Sequence, residues 1–455
     1  DWSSDVCSSD LGLWYSTNGV RLDVPSWKES ACEGGWRFSL ADGPYAEDFA
    51  TSLLHAVETW HIRYIKLDFA GLSMPAAKSS RTPQENFAVS VEVLNRILGR
   101  VRAACPEVRI IAHCGFERCG HQVAPGQRQM PFFDFSLLEG LDFYFSGDPH
   151  PGEIPATSMS RCLDMFQDRR VWCNHRVGQP LHRIDDHGVL LAETNTALYR
   201  GRRGARRSHL AQLARGARRD FLYGNPTLLT DDDVAGMKKT RDLFFDAFAR
   251  GLTTQLVGGE PGVAPWHGTL TGGGNRGLLY VVNGTLQPQI ATLPVPGACR
   301  GRALFHDGAG PPPLSVTPDR VALQLGPEQM TLVGLGLYAD WTGNLGCDTD
   351  EPPPHATRLL PLGLEETREG TLHGRLELPL ECGENLLVLV RAVDSDPSGD
   401  VNAPPITFGR QNMREGGTME PAAHREVCID VRCGGEVLKP VRQIPDVPVW
   451  SGVYW

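Results

Sequence analysis

Two aspartates lie where chemistry can be done, each closing an apolar run. Lys66-Leu67-Asp68 ends the segment IRYIKLDF, and Ser146-Gly147-Asp148-Pro149-His150 follows Phe143-Tyr144-Phe145. Strand side chains alternate between faces, so Lys66 and Asp68 share one, and a glycine-proline turn suits Asp148 to a rigid loop. Two carboxylates facing one pocket are what glycosidic bond cleavage requires. One, ionised, attacks or stabilises the sugar cation; the other, protonated, donates to the leaving oxygen. A strand-end aspartate also caps a following helix, which is the structural alternative for Asp68. Asp142, six residues before Asp148, is a rival acid whose place inside its strand suggests a supporting role, with Glu139 and Glu153 as outside candidates.

The elements that position these groups alternate in α/β fashion from 11 to about 258. Apolar runs predict strands at 12–20 (GLWYSTNGV), 62–69, 108–112, 141–145, 171–173 and 221–229. Between them, helical spacing links Phe49, Leu53, Val57 and Trp60, and then Phe87, Val91, Leu94, Leu98 and Val101. Further helices are expected over 156–167, ending near Arg219, and over 234–248, the last with Thr230 as N-cap and Asp231-Asp232-Asp233 as its acidic first turn. Asp68, His113, Cys114 and Asp148 fall at or just past the C-terminal ends of different strands, where a (β/α)8 barrel builds its active site. No strand runs into a glycine-rich phosphate turn, so a doubly wound nucleotide-binding sheet is disfavoured. The expected fold is α/β: a TIM-type (β/α)8 barrel over 11–258 with its first two strands missing, since six βα units are counted where a barrel needs about eight. Residues 1–10 (DWSSDVCSSD) read as a non-native lead-in. An antiparallel β-sandwich is expected over 259–341, including 277–283 and 321–337, then a linker over 342–354 (TGNLGCDTDEPPP) and a second β-rich module over 355–455 with strands in 376–393.

Four of these segments, in order, resemble the motifs of one family, the α-galactosidase (melibiase) clan of glycoside hydrolases. Gly12-Leu13-Trp14-Tyr15 is similar to its strand-three G-L-W-F, Lys66-x-Asp68 to its strand-four K-x-D, His113-Cys114-Gly115 loosely to its strand-five cysteine motif, and Ser146-Gly147-Asp148 to its strand-six acid/base motif. The resemblance implies a retaining exo-glycosidase that hydrolyses α-galactosides or related α-linked sugars by double displacement through a covalent glycosyl-aspartate. Asp68 is then the nucleophile and Asp148 the acid/base, their carboxyls about 5–5.5 Å apart as retention needs. Trp14, Lys66, His113, Cys114 and Tyr144 line the sugar site on that reading. The chain differs from the galactosidases at Ser16-Thr17-Asn18-Gly19, where they carry E-P-E-M, and at Phe143-Tyr144, where some members have an aromatic-arginine pair. A transglycosylase with the same carboxylates, or an inactive carbohydrate-binding protein, are the other readings.

Composition narrows the partners. The 54 acidic and 44 basic residues give a formal charge of -10, which disfavours nucleic acid. The one basic cluster, Arg200, Arg202, Arg203, Arg206, Arg207, Arg215, Arg218 and Arg219, lacks interleaved aromatics and reads as a solvated helix with its loop. No run approaches the roughly 18 apolar residues of a membrane span. Two cysteines and two histidines are crowded into 113–121, unlike the separated pairs of structural zinc sites, so neither metal nor cofactor is expected. Twelve irregularly spaced cysteines suggest reduced thiols and the cytoplasm. Asp185-Asp186-His187, following the seventh strand of a full barrel, is open to a substrate contact but reads better as a surface loop, and an oligomer is compatible with the sequence. The expected partner is an oligosaccharide or glycoside substrate.

Overall fold

The computed structural model describes residues 12–19, 25–33, 37–113, 116, 134–145, 156, 158–192, 201–307, 310–343 and 345, with the backbone of 364–366, 372–374, 432–433 and 436–437. Asp148, Cys114, Glu153, the lead-in 1–10 and the strands expected in 376–393 lie outside the described residues. The chain divides into two compact units.

The first unit holds strands β1 (Gly12–Ser16), β2 (Tyr64–Asp68), β3 (Arg109–Ala112), β4 (Phe143–Phe145) and β5 (Ile184–Asp185), with helices α1 (Tyr45–Glu58) and α2 (Pro83–Ala104) between the early strands. The strands form one parallel sheet in the order β1-β2-β3-β4-β5. Each strand lies beside its successor, the progression of a barrel wall rather than the reversing order of a doubly wound sheet. Among the described residues this sheet does not close into a barrel. Helix α2 starts where its sequence dictates: Thr82 and Glu85 form a reciprocal capping box, and Pro83 occupies the first turn, where no amide hydrogen is needed.

Register separates the two faces of this sheet. Leu13, Tyr15, Ile65, Leu67, Ile110, Ala112 and Tyr144 pack into one apolar core with Phe49 and Leu53 of α1 and Phe87, Leu94 and Leu98 of α2. On the other face the pairings Ser16↔Asp68 and Phe145↔Asp185, with His113 one residue beyond Leu67↔Ala112, make a single row: Ser16, Asp68, His113, Phe145, Asp185. Two residues back runs a second row, Trp14, Lys66, Ile111, Phe143. Polar groups thus gather at the C-terminal edge of the face opposite α1 and α2.

The second unit contains α3 (Met159–Arg176), β6 (Val189–Leu191), α4 (Ala205–Ala214), β7 (Leu222–Gly224), α5 (Asp231–Ala249) and β8 (Thr254–Gly258), then β9 (Trp266–Gly273), β10 (Arg276–Asn283), β11 (Gln289–Pro294), β12 (Gly301–His306), β13 (Leu314–Thr317), β14 (Arg320–Leu325) and β15 (Met330–Gly336). Strands β6 and β7 pair in parallel; the rest form antiparallel sheets ordered β12-β15-β10-β9-β8 and β11-β14-β13. Alternation along β10 explains the layering. Leu279 and Val281 join Ala291, Leu293, Val321 and Leu323 of the smaller sheet, while Leu278, Tyr280 and Val282 face Leu210 of α4 and Phe244 of α5.

Three expectations are corrected. Val171, Trp172 and Cys173 are helical, inside α3; three apolar residues in a row do not distinguish strand from helix. The i,i+4 pairs Phe166–Arg170 and Trp172–Arg176, each a cation over a ring, exist only on a helix. The strand expected there is β5 instead, so Asp185 and Asp186 are buried rather than on a surface loop. Finally, Arg207, Arg215 and Arg219 are buried, not solvated. Arg207 pairs with Asp164 and Arg215 with Asp168, both acids coming from α3. Cys32, Cys105, Cys162, Cys173 and Cys299 are free thiols. No described helix is long and apolar enough to cross a membrane.

Candidate active site

Asp68 is the last residue of β2 and only 2% exposed. Its Oδ1 accepts a hydrogen bond from the Phe69 amide at 2.7 Å. Its Oδ2 lies 3.2 Å from His113 Nδ1 and 3.4 Å from Lys66 Nζ. Burial pushes this carboxyl up, but His113, Lys66 and the Phe69 N–H together outweigh it and hold it below the ordinary carboxylate range. The group is therefore an ionised, oriented carboxylate in little water.

The backbone around it is stapled. The Thr17 amide donates to Asp68 O at 2.8 Å, extending the β1–β2 ladder. Buried Asn18 accepts from the Gly71 amide at 2.6 Å and donates to Phe38 O at 2.8 Å, joining the turn after β1 to the turn after β2. Arg37 donates to Ala70 O at 3.3 Å. Sequence reading missed Asn18 and Arg37; only the polar cluster Ser16-Thr17-Asn18 at a strand end hinted at the first.

Phe69 turns the chain out of the strand with φ at 51°, a left-handed conformation costly for a bulky residue. That turn aims its amide at Asp68 and leaves its ring 40% exposed, stacked on Trp14 at 5.8 Å and 28°. Trp14 is 53% exposed, and Lys66 Nζ lies 4.7 Å from its ring centroid. An apolar ledge thus adjoins the carboxylate. The strain gives a test. Phe69→Gly and Phe69→Ala remove nearly the same ring, but only glycine tolerates the turn, so the alanine variant is expected to be the less stable by about 1 kcal/mol in thermal unfolding. Equal stabilities would show that the turn relaxes.

Of the residues the sequence singled out, Asp68, Lys66, Trp14 and His113 are brought together. Tyr144 is not: it lies on the helix-covered face, 1% exposed, in the core with Leu67 and Ala112. Its place is taken by Phe145, whose ring stacks on His113 at 3.8 Å and 20°. The rival Asp142 precedes β4 at the opposite edge of the sheet. There it accepts from the Ile110 amide at 2.7 Å and from Arg109 at 3.0 Å, and it pairs with Arg102, leaving it no part in chemistry at the Asp68 edge. Glu139 ends a 3-10 turn, Phe135–Glu139. Among the described residues no cluster of three His, Cys, Asp or Glu side chains is arranged to hold a metal.

No protein-family model matches the chain. No curated protein matches it either. Among solved structures it is similar to the GH36 α-galactosidase AgaA from Geobacillus stearothermophilus in complex with 1-deoxygalactonojirimycin, at 9% identity and TM-score 0.44 over 71% of this chain and 44% of that one. It is also similar to the galactosidase domain of the α-galactosidase-sucrose kinase AgaSK, at 11% identity and TM-score 0.46 over 71% of this chain and 43% of that one. An α-amylase from H. orenii is similar at 11% identity and TM-score 0.35, over 67% of each chain. This chain thus spans less than half the length of the two galactosidases.

Proposed function

We propose that the protein is a retaining exo-glycosidase for α-galactosides or related α-linked sugars, with Asp68 as nucleophile and Asp148 as acid/base. The observation that carries this reading is the Asp68 carboxylate itself. It is kept ionised by Lys66 and His113, at the C-terminal edge of a parallel sheet, beside the exposed Trp14–Phe69 ledge. The catalytic segment on this reading runs over 11–258, followed by a β-sandwich over 259–341, a linker over 342–354 and a second β-rich module over 355–455.

In the first step an Asp68 oxygen bonds to the anomeric carbon as the glycosidic bond breaks, and the leaving oxygen takes a proton from Asp148. In the second, Asp148 accepts a proton from water, whose oxygen displaces Asp68 and returns it to a carboxylate. The aromatic ledge supports the apolar C–H face of the sugar, and Lys66 is within reach of its hydroxyls.

Proton NMR of an aryl α-galactoside digest tests this: the first sugar released is expected to be the α-anomer, and the β-anomer overturns the double displacement. Asp148→Ala is expected to slow substrates with poor leaving groups at least about 100-fold more than activated aryl glycosides, because a good leaving group needs little protonation. Equal loss on both removes Asp148 from the acid role.

A further inference from the structure

We propose that His113 is a positioning residue for Asp68, its imidazole closing the Oδ2 side of the carboxylate and fixing the orientation of that oxygen. The inference rests on the reading of Asp68 as nucleophile. It assigns His113 to the carboxylate rather than to the sugar.

The sheet holds His113 in place. Its amide donates to Leu67 O at 2.7 Å, continuing the β2–β3 ladder past the end of β3, so the imidazole enters the same row as Asp68. Phe145 covers one face of the ring at 3.8 Å and fixes its plane, while Nδ1 stands 3.2 Å from Oδ2. His113 is 4% exposed and Asp68 2%, so water weakens their interaction little. Lys66 approaches the same oxygen at 3.4 Å, but its ammonium, on a flexible stem, is shared with the Trp14 ring at 4.7 Å. Oδ1 is already engaged by the Phe69 amide. His113 is therefore the rigid nitrogen partner at Oδ2.

Other charges in this unit act on the pair. From β2, Lys66 favours an ionised Asp68, and Arg37, whose guanidinium senses the Asp68 charge, does the same. From β5, Asp185 lies in the same row beyond the Phe145 ring. Asp68 is the nearest of these to the imidazole and dominates by distance. After burial, His113 is the foremost influence on the Asp68 carboxyl, and it acts to lower it.

Asp68 gives up its charge when it bonds to the anomeric carbon and regains the electron pair when water displaces it. An imidazole N–H at Oδ2 stabilises the departing carboxylate in that second step.

His113→Phe keeps the stack on Phe145 and removes the donor; His113→Gln keeps a neutral donor. Aspartate 13C-carboxyl NMR, with the Asp68 resonance assigned by its loss in Asp68→Asn, is expected to show Asp68 titrating at higher pH in both variants than in the parent. The acid limb of kcat/KM on an aryl α-galactoside should move with it, and His113→Gln, which keeps a donor, should retain more kcat than His113→Phe. An unchanged Asp68 titration in either folded variant overturns the proposal, as does a loss of activity equal at every pH. A shifted titration in a protein without glycosidase turnover supports the hold of His113 on Asp68 and overturns the glycosidase reading instead.

Discussion

Asp68→Ala is expected to lower kcat/KM on aryl α-galactosides by about 10⁴-fold or more, equivalent to roughly 5.5 kcal/mol of transition-state stabilisation. The surroundings make a second, more specific outcome follow. Truncation leaves a space bordered by Lys66 Nζ and His113 Nδ1, which lay 3.4 and 3.2 Å from the lost oxygen. A lysine cation and an imidazole without their anion attract a small one. Added azide should therefore occupy the space, attack the anomeric carbon of an activated glycoside and restore turnover. The product should be the β-glycosyl azide, inverted because one displacement replaces two. Asp68→Asn should be rescued less, since its amide still fills the space. If azide restores nothing and Asp68→Ala keeps a tenth of the activity, the nucleophile is another residue.

Alternation along one strand was enough to place Lys66 and Asp68 on a common face, and that part of the site was legible in the sequence. Extending the face to the next strands needs register between strands, which periodicity within each strand does not supply. The resemblance points to Tyr144, and the register places Phe145 in the row instead. A shift of one residue decides which of the two meets His113, and only the pairing Ala112↔Tyr144 settles it. Strands β1 to β4 were found because each joins an apolar run to a polar end. Strand β5 was missed because it has two residues, both in a segment that reads as polar. The buried arginines were illegible for another reason: their acidic partners stand 43 and 47 residues earlier, and composition assigns an unpartnered run of arginine to solvent.

That buried cluster is where the largest loss of stability is expected. Arg207 is 1% exposed and donates to Asp164 at 3.0 Å and to Ser160 Oγ at 3.1 Å, with Asp307 at 4.0 Å. Asp307 also accepts from Arg161 at 2.7 Å and from the Met330 amide at 2.6 Å. Arg207→Met keeps most of the volume and removes the charge, leaving Asp164 in a low-dielectric interior without its guanidinium. Breaking such a pair from one side costs about 3–5 kcal/mol. Replacing both partners, in Arg207→Met/Asp164→Leu, should cost much less than the two single changes summed, because Asp164 and Arg207 then leave neither of their own charges stranded. The loss should also depend on pH. Burial pushes the Asp307 carboxyl up to about 6 against the pull of Arg161 and Arg207, and without Arg207 it rises further. A carboxyl raised in the folded state penalises folding above its native pKa, and the penalty fades as the native protein takes up the proton on acidification. Arg207→Met should therefore be more destabilising at pH 8 than at pH 5. Urea unfolding of the parent, both single variants and the double variant at the two pH values measures all three effects. A single-variant loss below about 1 kcal/mol, or strict additivity in the double variant, would mean that water reaches the cluster and solvates the charges that the geometry leaves to one another.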